Sequence, residues 1–238
     1  MTPRLSVVVC SFNAASTLPA ALGSLAAQTL PREQFEVIVV DDGSKDDTAA
    51  ALKPFLSEPN LRVVKNAVNR GLPASCNRGL EEAKGEFFIR VDADDTADPS
   101  LLELLLSAMD AGTDLALCDR WELIPATGER RRVELAPFDL FKMTAAATLM
   151  RRDLLRAIGG YGSLFWEEYD LYMRYLTKSG KPARHVAEPL YTYVLHPGGM
   201  TADPARVESG WRELFERWPA AALERFGRLP ESARKLCP

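Results

Sequence analysis

Short apolar runs alternate with amphipathic stretches along the first half of the chain, and this alternation predicts strands separated by helices. The predicted strands cover residues 5–10, 35–40, 61–65 and 87–91. Helices are predicted over 16–27, over 44–55 with Ser44 as its N-cap, and from the Asn69 turn to Gly85. Asp98 and Pro99 are predicted to begin a further helix. Such spacing is typical of βαβ units and a mostly parallel sheet.

The second half of the chain is less regular. Strands are predicted over 115–118, over 121–124 and 130–135 as a hairpin, and over 146–150 and 191–195. Helices are predicted over 153–158 and 168–179, followed by a helical tail over 205–228 with an apolar face. We therefore expect one α/β domain over 1–203, with halves at 1–120 and 121–203, and a helical extension over 204–238.

Composition narrows the function classes. The 238 residues are 47% hydrophobic and 26% charged with a net charge of -4, and no dense basic run indicates a nucleic-acid partner. The four cysteines form no CxxC pair, which favours a reducing compartment. Because we find neither a signal peptide nor a membrane-length apolar stretch, we expect a cytoplasmic protein. The apolar face of the tail leaves three alternatives: packing on the domain, homodimerisation, or peripheral contact with the inner membrane surface.

Two acidic clusters follow predicted strands, where parallel sheets place their ligands. Asp41 and Asp42 end the second strand, where a carboxylate can bind a nucleoside or simply form a turn with Gly43. The three carboxylates Asp92, Asp94 and Asp95 follow the fourth strand. Because they repel one another, the second cluster favours a divalent cation over a solvated turn.

A third acidic group stands at the start of a predicted helix. Glu167, Glu168 and Asp170 could supply a general base, or could be ordinary first-turn acids, with Asp170 paired to Arg174. His196 follows the last predicted strand and could bind a metal or phosphate, or be structural.

The ordered set of these segments resembles family 2 glycosyltransferases from Leu5 to about Thr201. The matching stretches are Leu5–Asn13, Val39–Ser44, Asn69–Gly71, Asn77–Gly79, Ala83–Glu86, Asp92–Asp95, Glu167–Leu171 and His196–Met200. The resemblance implies a GT-A fold: a Rossmann-like, mixed but mostly parallel central α/β sheet flanked by helices. It also implies a nucleotide-diphosphate sugar as donor, with a UDP-sugar favoured, and Mn²⁺ or Mg²⁺ as cofactor.

The resemblance also implies roles for individual residues. The donor is expected to meet the following residues: Ser11, Phe12, Asn13, Asp41, Asn69, Asn77, Asp92 and Asp94. Asp94 corresponds to the metal-binding position of a DxD motif, with Asp95 as its rival and His196 as a further ligand. Glu168 corresponds to the catalytic base, within the acidic group that includes Glu167 and Asp170.

The chain departs from the family pattern at several of these positions. Cys10 stands where proline is common, Cys76 where arginine is common, and Glu168 where aspartate is usual. The expected function is metal-dependent, inverting glycosyl transfer to a hydroxyl of a glycan, lipid-linked or other acceptor in glycan or cell-envelope polysaccharide synthesis. The departures keep a non-catalytic nucleotide-sugar binding module as the alternative. A nucleotidyltransferase is disfavoured because no glycine-rich basic loop follows the first strand, and a dinucleotide oxidoreductase because no GxGxxG does.

Overall fold

The computed structural model describes residues 2–196 and 203–237. The strands are β1 Leu5–Ser11, β2 Phe35–Asp41, β3 Leu61–Lys65, β4 Phe87–Asp92, β5 Thr96–Ala97, β6 Leu115–Ile124, β7 Glu129–Val133, β8 Leu149–Arg151 and β9 Arg184–Val194. The helices are α1 Leu18–Ala26, α2 Thr48–Leu52, α3 Leu72–Glu82, α4 Leu101–Ser107, α5 Arg152–Ala157, α6 Glu167–Ser179, α7 Pro204–Arg217, α8 Ala220–Leu223 and α9 Glu231–Arg234.

All the strands of the described residues belong to one sheet, in the order β3-β2-β1-β4-β8-β6-β9-β5, with β7 paired to β6. The strands β3, β2, β1 and β4 are parallel, as is the β6–β9 pair. Antiparallel pairing joins β8 to both β4 and β6, and joins β7 to β6 as the predicted hairpin. The expected mixed α/β sheet is therefore confirmed, and it continues without a break into the second half of the chain.

Two apolar cores cover the two faces of the sheet, because successive side chains of a strand point to opposite faces. In β4, Phe87, Ile89 and Val91 enter one core, whereas Phe88 enters the other. The second core also contains buried residues of α6 and α7, including Trp211, which is 2% exposed. The apolar face of the tail thus packs on the domain, which is the first of the three alternatives.

Some predicted helix ends are wrong. Ser44 caps no helix: α2 begins at Thr48, and the hydroxyl of Ser44 accepts a hydrogen bond from the backbone of Asn13. The expected tail helix is interrupted after Arg217, where Trp218 adopts extended backbone before Pro219. None of the helices in the described ranges combines the length and apolar character needed to cross a bilayer.

Candidate active site

The carboxyl ends of β1, β2 and β4 meet at one edge of the sheet. Ser11 at the end of β1 is in register with Asp41 of β2, and the preceding Cys10 is in register with Asp92 of β4. Neighbouring parallel strands lie about 4.8 Å apart. The first two acidic clusters therefore come together on either side of β1, as their positions in the sequence predict.

Hydrogen bonds tie the loop after β1 to the loop after β2. Asn13 donates its backbone N–H to Ser44 Oγ at 3.0 Å and accepts from the backbone of Lys45 at 2.8 Å. Asp41 accepts from the backbone of Ser44 at 3.0 Å, which fixes its carboxylate at the same wall. Phe12, between these contacts, is 47% exposed. The two loops form one preorganised wall with an exposed aromatic ring.

Asp42 holds the Asn69 turn against the end of β2. Its carboxylate accepts hydrogen bonds from the backbone of Arg70 and Gly71 and from the side chain of Asn66. The carboxamide oxygen of Asn69 accepts from Gly71, whose φ of 86° suits glycine. Asp42 therefore shapes this turn and holds it at the end of β2.

Asn77 has a different partner from the one that the resemblance implies. Its carboxamide accepts from the backbone N–H of Tyr161 at 2.8 Å and donates to the carbonyl of Tyr161 at 2.9 Å. A Cβ on Gly160 would lie 2.3 Å from this carboxamide. Asn77 therefore fastens a loop to α3, which corrects its expected contact with the donor. The neighbouring Cys76 is fully buried and contacts the thiol of Cys10 at 3.5 Å.

The three carboxylates after β4 have separate surroundings. The guanidinium of Arg90 donates hydrogen bonds to Asp92, and Arg90 Nη2 lies 3.0 Å from Asp92 Oδ2. Asp94 Oδ2 lies 2.9 Å from His196 Nε2, and these side chains are 40% and 38% exposed. Asp95 is 1% exposed and accepts from the backbone of Val194. Burial, followed by the charge of Asp92, raises the pKa of Asp95 to about 8.

This arrangement corrects the expected metal set. Across residues 2–196 and 203–237, no group of three or more His, Cys, Asp or Glu side chains is placed to hold a metal ion. Asp95 is buried and accepts a hydrogen bond from the backbone of Val194, which leaves Asp94 and His196 as the half-exposed pair. One carboxylate and one imidazole still fit Mg²⁺ or Mn²⁺ when substrate phosphates and water supply the other ligands. The motif residues 197–200 lie outside the described residues.

The first turn of α6 brings two glutamates to the site. Glu167 is 3% exposed and accepts from Arg90 Nη1 at 3.1 Å. Glu168 is partly exposed, and burial, followed by the charge of Glu167, raises its pKa well above that of an ordinary glutamate. Burial and then the charges of Asp95, Asp92, Asp94 and Glu168 raise the pKa of Tyr193 to about 12. Tyr193 thus lies within electrostatic reach of both the β4 carboxylates and Glu168.

Asp170 is not part of this site. Its carboxylate is fully buried and contacts Arg174 at 2.8 Å, Arg217 at 2.6 Å and Trp218 Nε1 at 3.0 Å. The expected catalytic role is therefore wrong, and the predicted ion pair with Arg174 is confirmed. Asp170 fastens α6 to the end of α7.

Two site residues escaped the sequence reasoning. Arg90 bridges Asp92 and Glu167, and burial opposes its charge while Asp92 raises its pKa well above the ordinary value. Its signal is a lone charge inside the apolar run of β4. The hydroxyl of Tyr191 accepts from the backbone of Asp92 at 3.0 Å. No pattern around Tyr191 distinguishes it from other strand tyrosines.

The fold is that of the GT-A glycosyltransferases. The structure superposes on Staphylococcus aureus TarS in complex with UDP-GlcNAc with a TM-score of 0.75 and 22% identity, over 94% of this chain and 71% of that one. It matches the Pyrobaculum calidifontis mannosyltransferase PcManGT, in complex with GDP-Man and Mn²⁺, with a TM-score of 0.71 and 20% identity, over 99% and 68%.

The sequence profile described as Glycosyl transferase family 2 matches residues 6–172, which is more than two thirds of the chain. The protein therefore belongs to glycosyltransferase family 2. One curated relative, the cholesterol galactosyltransferase of Borreliella burgdorferi, is 31% identical over 59% of this chain and 39% of its own length. The chain spans 33–39% of the length of three such relatives.

Proposed function

We propose that the protein transfers a sugar from a nucleotide-diphosphate donor, with a UDP-sugar favoured, to a hydroxyl of an acceptor. The observation that carries the proposal is the convergence of Asp41 and Asp92 at the strand ends, to which the Arg90–Glu167 contact joins the first turn of α6 with Glu168. In support, two proteins of similar fold were solved with UDP-GlcNAc and with GDP-Man.

The wall formed by Ser11, Phe12, Asn13 and Asp41, together with Asn69, would hold the nucleoside. The exposed ring of Phe12 offers a surface for a base, and Asp41 an acceptor for its N–H groups. Asp92, fixed by Arg90, would accept hydrogen bonds from the ribose. Asp94 and His196 would hold Mn²⁺ or Mg²⁺, which when bound offsets the charge of the diphosphate.

Glu168 would serve as the general base. In its ionised form it takes the proton of the acceptor hydroxyl while that oxygen bonds to C1 of the sugar. The bond between C1 and the diphosphate oxygen breaks, and its electron pair leaves with the nucleoside diphosphate. Attack from the face opposite the leaving group inverts the configuration at C1, and no covalent sugar–enzyme intermediate is required.

The proposal extends to the whole chain. Residues 1–203 would form the transferase domain, in which 121–203 contribute to the acceptor side, and 204–238 a helical extension packed on α6. A glycan or lipid-linked acceptor in cell-envelope polysaccharide synthesis fits this function, at the cytoplasmic side of a membrane. Homodimerisation through the extension is a further expectation.

A donor-turnover assay of a Glu168→Gln variant tests the base. With UDP-glucose, UDP-galactose, UDP-N-acetylglucosamine and GDP-mannose plus Mn²⁺, the wild type should release nucleoside diphosphate from at least one donor. Glu168→Gln should lower kcat at least about 10²-fold because the proton acceptor is lost. Nucleotide binding, measured by calorimetry, should remain.

Glu208→Gln is the matched control, since Glu208 is an exposed acid on α7. Wild-type turnover by Glu168→Gln would remove Glu168 from the mechanism. A wild type that binds donors without turning them over would favour the non-catalytic binding module.

A further inference from the structure

Arg90 is a buried charge on a strand that is otherwise apolar as far as its last residue, Asp92. It lies in β4 among Phe88, Ile89 and Val91, and it is 5% exposed. It points to the same face as Phe88, where the fold packs an apolar core. Because a buried cation is costly unless it is paired, its partners should explain its presence.

The guanidinium joins two separate parts of the site. Nε and Nη2 form a fork on Asp92, at the end of its own strand, and Nη1 donates to Glu167 at 3.1 Å. Glu167 is the first residue of α6, and it is itself buried. A planar fork with several fixed donors can hold two carboxylates in one geometry, which a lysine ammonium does less well.

Among the acids in the first turn of α6, Glu167 contacts the sheet, whereas Asp170 contacts α7. Trp166 stands at the N-cap position and makes no capping hydrogen bond with its side chain. The Arg90–Glu167 contact therefore ties the first turn to the sheet, and Glu168 follows in the same turn. A displacement of about 1 Å in a catalytic group can cost roughly 10²-fold in rate.

We propose that Arg90 is a positioning residue, which holds Asp92 for the donor and, through Glu167, sets the place of Glu168. The inference rests on the proposed function, because it assigns the bridge a part in the same reaction. Glu167 then has a positioning role as well, instead of the catalytic one that the sequence suggested. The bridge links the donor side of the site to the side of the base.

Steady-state kinetics of the full chain test this with Arg90→Lys, Glu167→Ala and the double variant. The readout is release of UDP from whichever UDP-sugar the wild type turns over in the presence of Mn²⁺. Both single variants should lower kcat by about 10-fold or more. The double variant should be no slower than the slower single variant, because both changes break the same bridge.

The Michaelis constant separates positioning from a general loss of structure. Glu167→Ala should leave the donor KM within about 2-fold of the wild type, because Arg90 still holds Asp92. Arg90→Lys should raise the KM as well, since Asp92 loses the fork that holds it. Arg62→Lys is the matched control, because Arg62 also bridges two carboxylates, those of Glu36 and Glu82. This variant should keep the kcat of the wild type.

The outcomes distinguish the two proposals. An active wild type whose Glu167→Ala variant keeps its kcat, or whose single effects multiply in the double variant, overturns the role of Arg90 alone. A wild type that turns over none of the donors overturns the proposed function and this role with it. If Arg90→Lys fails to fold, the kcat and KM of Glu167→Ala decide the question.

Discussion

Four carboxylates of the candidate site have four different surroundings, and each surrounding fits a different proposed role. They are those of Asp92, Asp94, Asp95 and Glu168. Asp94 is half-exposed beside His196 and can meet a cation, whereas Asp92 is held by Arg90. Asp95 is buried against Val194 and braces the strand ends. Glu168 combines partial exposure with a pKa that burial, followed by the charge of Glu167, raises well above that of an ordinary glutamate. The proposed roles rest on these differences and not on the identity of the side chains.

The raised pKa of Glu168 predicts the pH dependence of turnover. Burial and Glu167 favour its protonated form, while Arg90 opposes them. Since only the ionised form can accept a proton, kcat should be low at the pH where an ordinary glutamate is already ionised, and should rise with pH. The check is a kcat–pH profile taken where fluorescence shows the protein folded. A kcat that is already at its plateau at about pH 5.5, roughly one unit above an ordinary glutamate, would contradict this expectation.

Sequence reasoning at this scale succeeded where a residue's position in its own strand decides its surroundings. Asp41 and Asp92 end parallel strands, so their convergence could be predicted from order alone. It failed for Asp170 and Asn77, whose partners Trp218 and Tyr161 lie 48 and 84 residues away in sequence. A first-turn aspartate has the same sequence pattern whether it meets solvent or a buried indole.

Among the elements, α6 connects the site to the core. Its first turn carries Glu167 and Glu168, and its buried positions, including Tyr172 and Tyr175, pack in the second core. Asp170 then binds Arg217 and Trp218 at the end of α7. The position of the base is therefore set from the sheet by Arg90 and from the tail by Asp170.

The contact of α3 with β1 supports the donor side, and a pair of glycines tests it. A Cβ at Gly79 would lie 2.4 Å from Val8 Cγ1, whereas a Cβ at Gly23 of α1 meets nothing within 4 Å. Gly79→Ala should lower the free energy of unfolding by about 1–3 kcal/mol through overpacking. Gly23→Ala, the control, should raise it by about 0.5–1 kcal/mol through helix propensity.

Urea denaturation followed by tryptophan fluorescence measures both changes. Equal effects of the two substitutions would show that the close approach of α3 to β1 does not exist in solution.

The regular elements were predictable because the apolar spacing within each segment indicates a strand or a helix without knowledge of its partners. The strands β1 and β2 and the helix α6 are examples. The helix predicted from Ser44 was wrong because that hydroxyl binds the backbone of Asn13, a partner from another loop. The tail was predicted as one helix because its apolar spacing continues past Arg217. Trp218 nevertheless leaves the helix, and its indole reaches Asp170.

For the molecule as a whole, the parallel half of the sheet carries the proposed donor side, and the mixed half carries the remaining residues of the candidate site. The strand β9 runs parallel to β6 and pairs with β5. These pairings bring Tyr193 of β9, and His196 just after it, towards the acids that follow β4. The sequence pattern could not predict which strands pair in this half of the sheet, because their order does not follow the chain. For example, β8 lies between β4 and β6. The order of motifs indicated the family, and the sheet order explains how those motifs meet.

Central to the proposed function is the binding of a nucleoside diphosphate at the strand ends, through a cation held by Asp94 and His196. Calorimetric titration of UDP, with Mn²⁺ and with a chelator, tests this claim in the wild type and in Asp94→Ala. Asp153→Ala is the control, because Asp153 is 88% exposed on α5.

The wild type and Asp153→Ala should bind UDP at least about 10-fold more tightly with Mn²⁺, which corresponds to roughly 1.4 kcal/mol. Asp94→Ala should bind weakly and equally in both conditions. Binding by Asp94→Ala that keeps the full dependence on Mn²⁺, or wild-type binding that never depended on it, would contradict the account.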